Sequence, residues 1–294
     1  MGIETIGSGS GVYWSATLAK LNSNFVELYA HDAAQPAAIS TAISAALTVD
    51  RTTLVEVFDD FTYETLATTG AGRGDWIVFA GSDSDATAAV VEAGKPEGRI
   101  LMGSGGAGAA NDGSVLSLIL LSQGALVSDG TIVFETRVSF DQLTGTSWNF
   151  GLSDTLATDA ERGLYKVNSG TIADGGLTLD DAACFAFDTD ATAGTKWQIC
   201  SENGGTIYAS AAEEALATGP TADTYAVLRI TIDSSGNALF YVDGTLVANH
   251  PLAVATTAVL IPYISGNSAD DADVATDVVV DYIYFSHART TSGA

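Results

Sequence analysis

The feature that most constrains this chain is the beat of short apolar segments and turn residues that runs from Leu54 to Phe285. Segments rich in Val, Ile, Phe, Tyr and Thr fall at 54–58, 76–79, 99–102, 114–121, 130–140, 148–152, 163–167, 183–187, 196–200, 225–232, 238–242, 245–248, 259–265 and 277–285, with Gly, Asp, Asn and Ser clustered between them. A chain punctuated this often builds short strands and tight turns, and there are too many candidates for one small sheet. Orientation comes from 130–140, where Ile132, Phe134, Thr136, Val138 and Phe140 alternate with Thr131, Val133, Glu135, Arg137 and Ser139. One face of that strand is predicted to be buried and the other wet, which reads as a sandwich. The clearest hairpin is 238–248, where Asp243-Gly244 supplies the positive φ angles of a two-residue type I′ turn. The strand upstream joins it through Ser234-Ser235-Gly236-Asn237, giving a three-strand meander.

Composition supports few helices: 47% of residues are apolar, 31 are Gly and only 16% are charged. The net charge of -25, from 36 Asp and Glu against 11 Lys and Arg, argues against nucleic acid as a partner, because phosphate contacts need clustered cations. An acidic surface suits high salt or hard cations, and it equally suits a solvated shell. No basic n-region followed by an apolar h-region opens the chain, so a secretory leader is not expected. The longest apolar run, 115–121, is interrupted by Ser117 and too short for a bilayer, so no membrane insertion is expected.

Two parts are predicted: an attachment or oligomerisation segment at 1–50 and a sandwich domain at 51–294. In the first, Trp14, Leu18, Leu21, Phe25 and Leu28 recur at spacings of four, three, four and three, a heptad seam about two heptads long. So short a seam needs either copies of itself or a surface of its own domain to pack on. A second helical stretch at 36–47 carries Ile39, Ile43 and Leu47, with Pro36 placed to open it. Residues 13–29 resemble the N-terminal segments of tailed-bacteriophage fibre and head-decoration proteins through Leu21-Asn22-Ser23-Asn24-Phe25-Val26-Glu27-Leu28. The resemblance covers less than a tenth of the chain and implies a trimeric appendage attached to a virion.

The run 228–248, the closing Val278-Val279-Val280-Asp281-Tyr282-Ile283-Tyr284-Phe285 and the opening Phe58-Asp59-Asp60-Phe61 resemble the strands of concanavalin A-like and laminin G-like jelly rolls. Together they bracket about four-fifths of the chain and report fold, leaving function open. The fold class expected is all-β, a two-sheet antiparallel jelly-roll sandwich of concanavalin A-like type preceded by a short helical anchor.

Candidate sites are few. With a turn centred near Thr192, Phe187 faces Trp197, Phe185 faces Ile199 and Cys184 faces Cys200, so the thiols are either a disulfide or a reduced, buried pair. Asp83 with Asp85, Asp180 with Asp181, and Asp188 with Asp190 are acidic pairs, and Asp270, Asp271, Asp273 and Asp277 form the best candidate for calcium, a cation that laminin G-like domains often hold at such a rim. None has EF-hand spacing, and turn-forming Asp is the competing reading. Glycosidases of the concanavalin A-like fold carry Glu-x-Asp-x-x-Glu on one strand to flank the scissile bond, and no Glu-x-Asp occurs here. Glu135 has Arg137 as its same-face neighbour, which reads as a solvated ion pair. His31, His250 and His287 stand far apart with no nucleophile motif near them, and there is no zinc spacing. Gly103-Ser104-Gly105-Gly106-Ala107-Gly108 lacks the Lys-Ser/Thr ending of a phosphate loop, and Arg73-Gly74-Asp75 reads as a turn. Trp148 and Trp197 are the natural rings for stacking on sugar, yet a sandwich of this size needs most of its aromatic residues inside.

The chain is therefore expected to be a non-enzymatic structural protein with no obligate cofactor. Its partners would be itself as a homotrimer, capsid or tail proteins, and cell-surface glycans. It would be assembled in a host cytoplasm and displayed on the virion surface, as a head decoration or head fibre or, alternatively, as a carbohydrate-binding tail adhesin.

Overall fold

The computed structural model describes residues 54–61, 76–80, 90–91, 98–103, 113–118, 124–155, 164–168, 171–174, 179–208, 214–268 and 276–288. The chain divides into units Met1–Arg51 and Thr52–Ala294. The first unit, with the anchor residues Trp14, Leu18, Leu21, Phe25 and Leu28, lies outside the described residues.

The strands are β1 (Leu54–Asp59), β2 (Trp76–Ala80), β3 (Val90–Val91), β4 (Ile100–Gly103), β5 (Gly113–Leu118), β6 (Ala125–Leu126), β7 (Ile132–Phe140), β8 (Thr146–Ser153) and β9 (Tyr165–Asn168). They continue as β10 (Thr171–Asp174), β11 (Ala182–Asp188), β12 (Gln198–Asn203), β13 (Thr206–Ile207), β14 (Ala226–Ile232), β15 (Ala238–Val242), β16 (Thr245–His250), β17 (Val259–Ser268) and β18 (Asp277–Ala288). A 3-10 turn lies at Val127–Asp129, between β6 and β7.

Two eight-stranded sheets result. Sheet I has the order β16-β15-β14-β7-β18-β4-β3, with β1 also on β18, and sheet II has the order β13-β12-β11-β8-β17-β5-β2, with β6 also on β17. All pairings are antiparallel. The two orders run in step: β14, β7, β18 and β4 correspond to β11, β8, β17 and β5, and the chain crosses between sheets from β4 to β5, β7 to β8 and β17 to β18. That is the winding of a jelly roll. Fourteen expected segments all became strands. The four missed, β3, β6, β10 and β13, are four residues or shorter, too brief to show a period.

The inner faces meet in one apolar core. Phe134, Val138 and Phe140 of β7, Ile230 of β14 and Phe285 of β18 come from sheet I, and Trp148, Phe150, Phe185 and Phe187 come from sheet II. Phe140 sets its ring edge-on to Trp148 at 6.4 Å, Phe150 at 6.0 Å and Phe187 at 5.3 Å, the arrangement ring quadrupoles favour. Trp148 and Trp197 are 0% and 1% exposed, so neither is available to a sugar. The Asp243-Gly244 turn forms as expected, with φ of 49° and 76°.

One departure shapes the surface. In β18 the buried apolar residues are Val278 and Val280 and then Ile283 and Phe285, because the ladder with β7 slips between Val280 and Tyr282. Asp281 is the extra residue of a β-bulge. The slip was readable as a change of apolar phase within Val278-Val279-Val280-Asp281-Tyr282-Ile283-Tyr284-Phe285.

Candidate functional site

The outer faces of the two sheets differ. On sheet II, every residue of β8 and β11 is buried on both faces. The β9–β10 hairpin closes that face: Leu164, Tyr165, Val167 and Ile172 pack in a second apolar cluster with Cys184, Cys200 and Tyr263. Polar side chains of the sheet hold it there. Asn149 Nδ2 donates to the Tyr165 carbonyl at 3.0 Å, and the Tyr165 amide donates back to Asn149 Oδ1 at 3.2 Å. Asp188 Oδ2 accepts the Val167 amide and the Ser147 hydroxyl, both at 2.9 Å, and its Oδ1 accepts the Asp190 amide. Burial pushes the Asp188 carboxyl up from its ordinary value, against the pull of those donors. Cys184 and Cys200 stand directly opposite each other, as their spacing predicts, and both are free, buried thiols. Burial pushes the Cys184 thiol well up, with Cys200 adding to it. Asp188 and Glu202 on this face are 0% and 2% exposed, so these two carboxylates do not form an open pair flanking a cleft.

A second constellation joins the sheets at their edge. His250, the last residue of β16, holds Ser201 Oγ at 2.8 Å through Nδ1 and Glu214 Oε2 at 3.0 Å through Nε2. Because a carboxylate only accepts, Nε2 carries the proton and Nδ1 accepts the Ser201 hydroxyl. Tyr208 stacks on the imidazole at 4.0 Å. Burial lowers the His250 pKa, and the nearby Glu214 carboxylate opposes that shift. No local pattern pointed to this triad, since Ser201 and His250 are 49 residues apart and Glu214 and His250 are 36 apart. Ser201 is 0% exposed within the β12 ladder, where an acyl group cannot reach it. The chain Ser201–His250–Glu214 ties β12, β16 and the segment bearing Glu214.

Sheet I leaves its outer face uncovered by any described residue. The register places Phe58, Tyr284, Glu135, Arg229 and Tyr241 on one cross-strand row. Tyr282 and Arg137 lead the next. Glu135 is bound differently from the sequence expectation: its partner is Arg229 across the strand pair at 3.8 Å, and it accepts the Tyr282 hydroxyl at 2.8 Å. Arg137 turns to the bulge residue Asp281 at 2.9 Å. The bulge supplied an acid that alternation along β7 did not show. Burial, helped by Glu135, pushes the Tyr282 hydroxyl far up, so it stays a donor. Two adjacent grooves result, one of about 570 Å³ lined by Glu135, Val227, Arg229, Tyr241, Asp243 and Gly244, and one of about 360 Å³ around Phe58, Arg137, Tyr225 and Tyr282. Of the four Lys and Arg side chains described, Arg99, Arg137 and Arg229 line these grooves and only Lys196 does not.

Of the calcium candidates, Asp270, Asp271 and Asp273 lie outside the described residues. Asp277 opens β18, is half-buried, and accompanies Asp141, whose Oδ1 accepts the Asp277 amide at 2.9 Å. Burial and the Asp141 charge push its carboxyl up. No group of three or more His, Cys, Asp or Glu suited to a metal occurs among the described residues.

No protein-family model matches this chain, and no curated protein does. Among solved structures, a Bacillus licheniformis β-glucanase is 13% identical over 78% of this chain and 97% of its own, with a TM-score of 0.48. The Emp47p carbohydrate recognition domain is 13% identical over 80% of this chain and 97% of its own, with a TM-score of 0.46. A conserved carbohydrate esterase from the Shiga toxin-encoding bacteriophage phi24B is 14% identical over 76% of this chain and 95% of its own, with a TM-score of 0.43. Similarity this low leaves function to be argued from the chain's own residues.

Proposed function

We propose that this chain is a non-catalytic structural protein of a tailed-phage virion, of the capsid-decoration or head-fibre type. Residues 1–50 attach it, as a homotrimer through Trp14, Leu18, Leu21, Phe25 and Leu28, and the jelly roll stands on the particle surface. The observation that carries the display role is the contrast of outer faces: sheet II is covered by its own β9–β10 hairpin, whereas sheet I is covered by no described residue and carries Arg and Tyr side chains along its grooves. The place of display rests on the likeness of 21–28 to phage attachment segments. The test is to label intact particles with antibody against 52–294. Label spread over heads supports the reading, and absence from every particle overturns it.

A second reading, a tail adhesin that binds cell-surface glycans, is favoured by that same open face, since multivalent display raises weak affinity. Label confined to tails would select it. Turnover of any polysaccharide by the purified chain would overturn both.

A further inference from the structure

The smaller groove on sheet I has the chemistry of a ligand site. Phe58 is 62% exposed, one of three large apolar side chains left so among the described residues. Leaving a Phe in water on a strand where a polar residue would serve forgoes about 2 kcal/mol of burial. Its position is nevertheless fixed. The next residue, Asp59, accepts the Phe61 amide at 2.8 Å and the Trp76 indole N–H at 2.7 Å, and Phe61 is fully buried. On its other side the Phe58 ring leans on Tyr282, with centroids 5.7 Å apart.

Beside this ring lie donors and acceptors held in place. Arg137 lies over the Tyr225 ring at 4.2 Å and grips Asp281, while Arg99 Nη1 donates to the Tyr225 hydroxyl at 3.0 Å. Asp60 completes the lining. Two guanidinium groups and two carboxylates balance, so the groove gives a charged ligand no net attraction. What it offers is one exposed aromatic face flanked by paired N–H donors and carboxylate acceptors. A sugar ring matches both, with an apolar C–H face for Phe58 and vicinal hydroxyls that each donate and accept. The volume of about 360 Å³ is at the low end for a small-molecule site and suits a short saccharide.

We infer that the Phe58–Tyr225–Tyr282 groove on sheet I binds an uncharged saccharide without a metal ion. This deepens the adhesin reading and rests on the jelly roll being a display module. The test is electrophoresis of the full chain through gels containing dextran, mannan, galactomannan or hydroxyethyl cellulose, with polygalacturonate as the charged comparison, with and without EDTA. At least one uncharged polymer is expected to retard the chain whether or not EDTA is present. F58A should weaken that retardation about tenfold, the loss of one stacking contact. F58Y should keep it, and L246A, which trims an exposed side chain at the opposite edge of the sheet, should not change it. Retardation by none of the uncharged polymers, by polygalacturonate alone, only without EDTA, or equally in F58A would each overturn the inference. Particle labelling fails separately: a chain found on virions that binds no polymer loses the groove and keeps the display reading, and the opposite pair of results does the reverse.

Discussion

Strands β7 and β8 both carry polar residues on their outward faces, Glu135 and Arg137 on one, Ser147 and Asn149 on the other, yet those faces meet different fates. On β7 the side chains stay partly exposed and pair with neighbours across sheet I. On β8 they are wholly buried, because Asn149 and the adjoining Asp188 exchange water for the backbone of β9. Small size is part of the reason: Ser147, Gly151, Ala182, Cys184 and Ala186 leave room for a hairpin to lie flat, whereas the outer face of sheet I carries the larger Arg137, Arg229 and Tyr284. A polar outer face therefore says that a strand is amphipathic and leaves open whether its partner is water or protein.

The contrast can be broken at Gly151. A Cβ there would sit 2.2 Å from the Ala183 carbonyl oxygen and 2.6 Å from Cys184 Cα, both backbone atoms. G151V should destabilise by more than about 4 kcal/mol and abolish cooperative folding, read by urea denaturation. Next is D188A, which strands the buried Val167 amide and Ser147 hydroxyl. It should cost about 2–4 kcal/mol and raise hydrogen exchange in β9 and β10 ahead of the rest of the jelly roll.

A smaller, pH-dependent loss is expected at the sheet edge. Because the folded state lowers the His250 pKa, the unfolded chain takes up that proton first, so stability present above about pH 6.5 falls as pH drops through the folded value. In H250N the fall between pH 7 and pH 5 should be shallower than in the parent, measured by denaturant midpoints at each pH; parallel curves would show that His250 contributes nothing. The least effect is expected on the open face: R137A should cost no more than about 1 kcal/mol, since its ion pair with Asp281 is 43% exposed on the Arg side. A loss as large as that of D188A would mean that the open face is as structural as the closed one.

Strand positions, the Asp243-Gly244 hairpin and the Cys184–Cys200 register were legible because each depends on neighbours in sequence or on one turn. The bulge at Asp281 was also written in β18, as an apolar phase slip, though its consequence was not. Which acid Arg137 meets depends on where β18 lies, 144 residues away. The Ser201–His250–Glu214 chain and the docking of β9 on Asn149 have no local signal, since each links residues from different strands through side chains of common type.

By itself the sequence determined an all-β domain from Leu54 to Phe285 with one polar and one apolar side to its amphipathic strands, because alternation and turn chemistry act over two to four residues. Only the tertiary structure decided which outward face would be closed and which left open. That choice depends on whether a distant hairpin finds small residues and matching hydrogen-bond partners on a sheet, and such complementarity exists only once the strands are side by side.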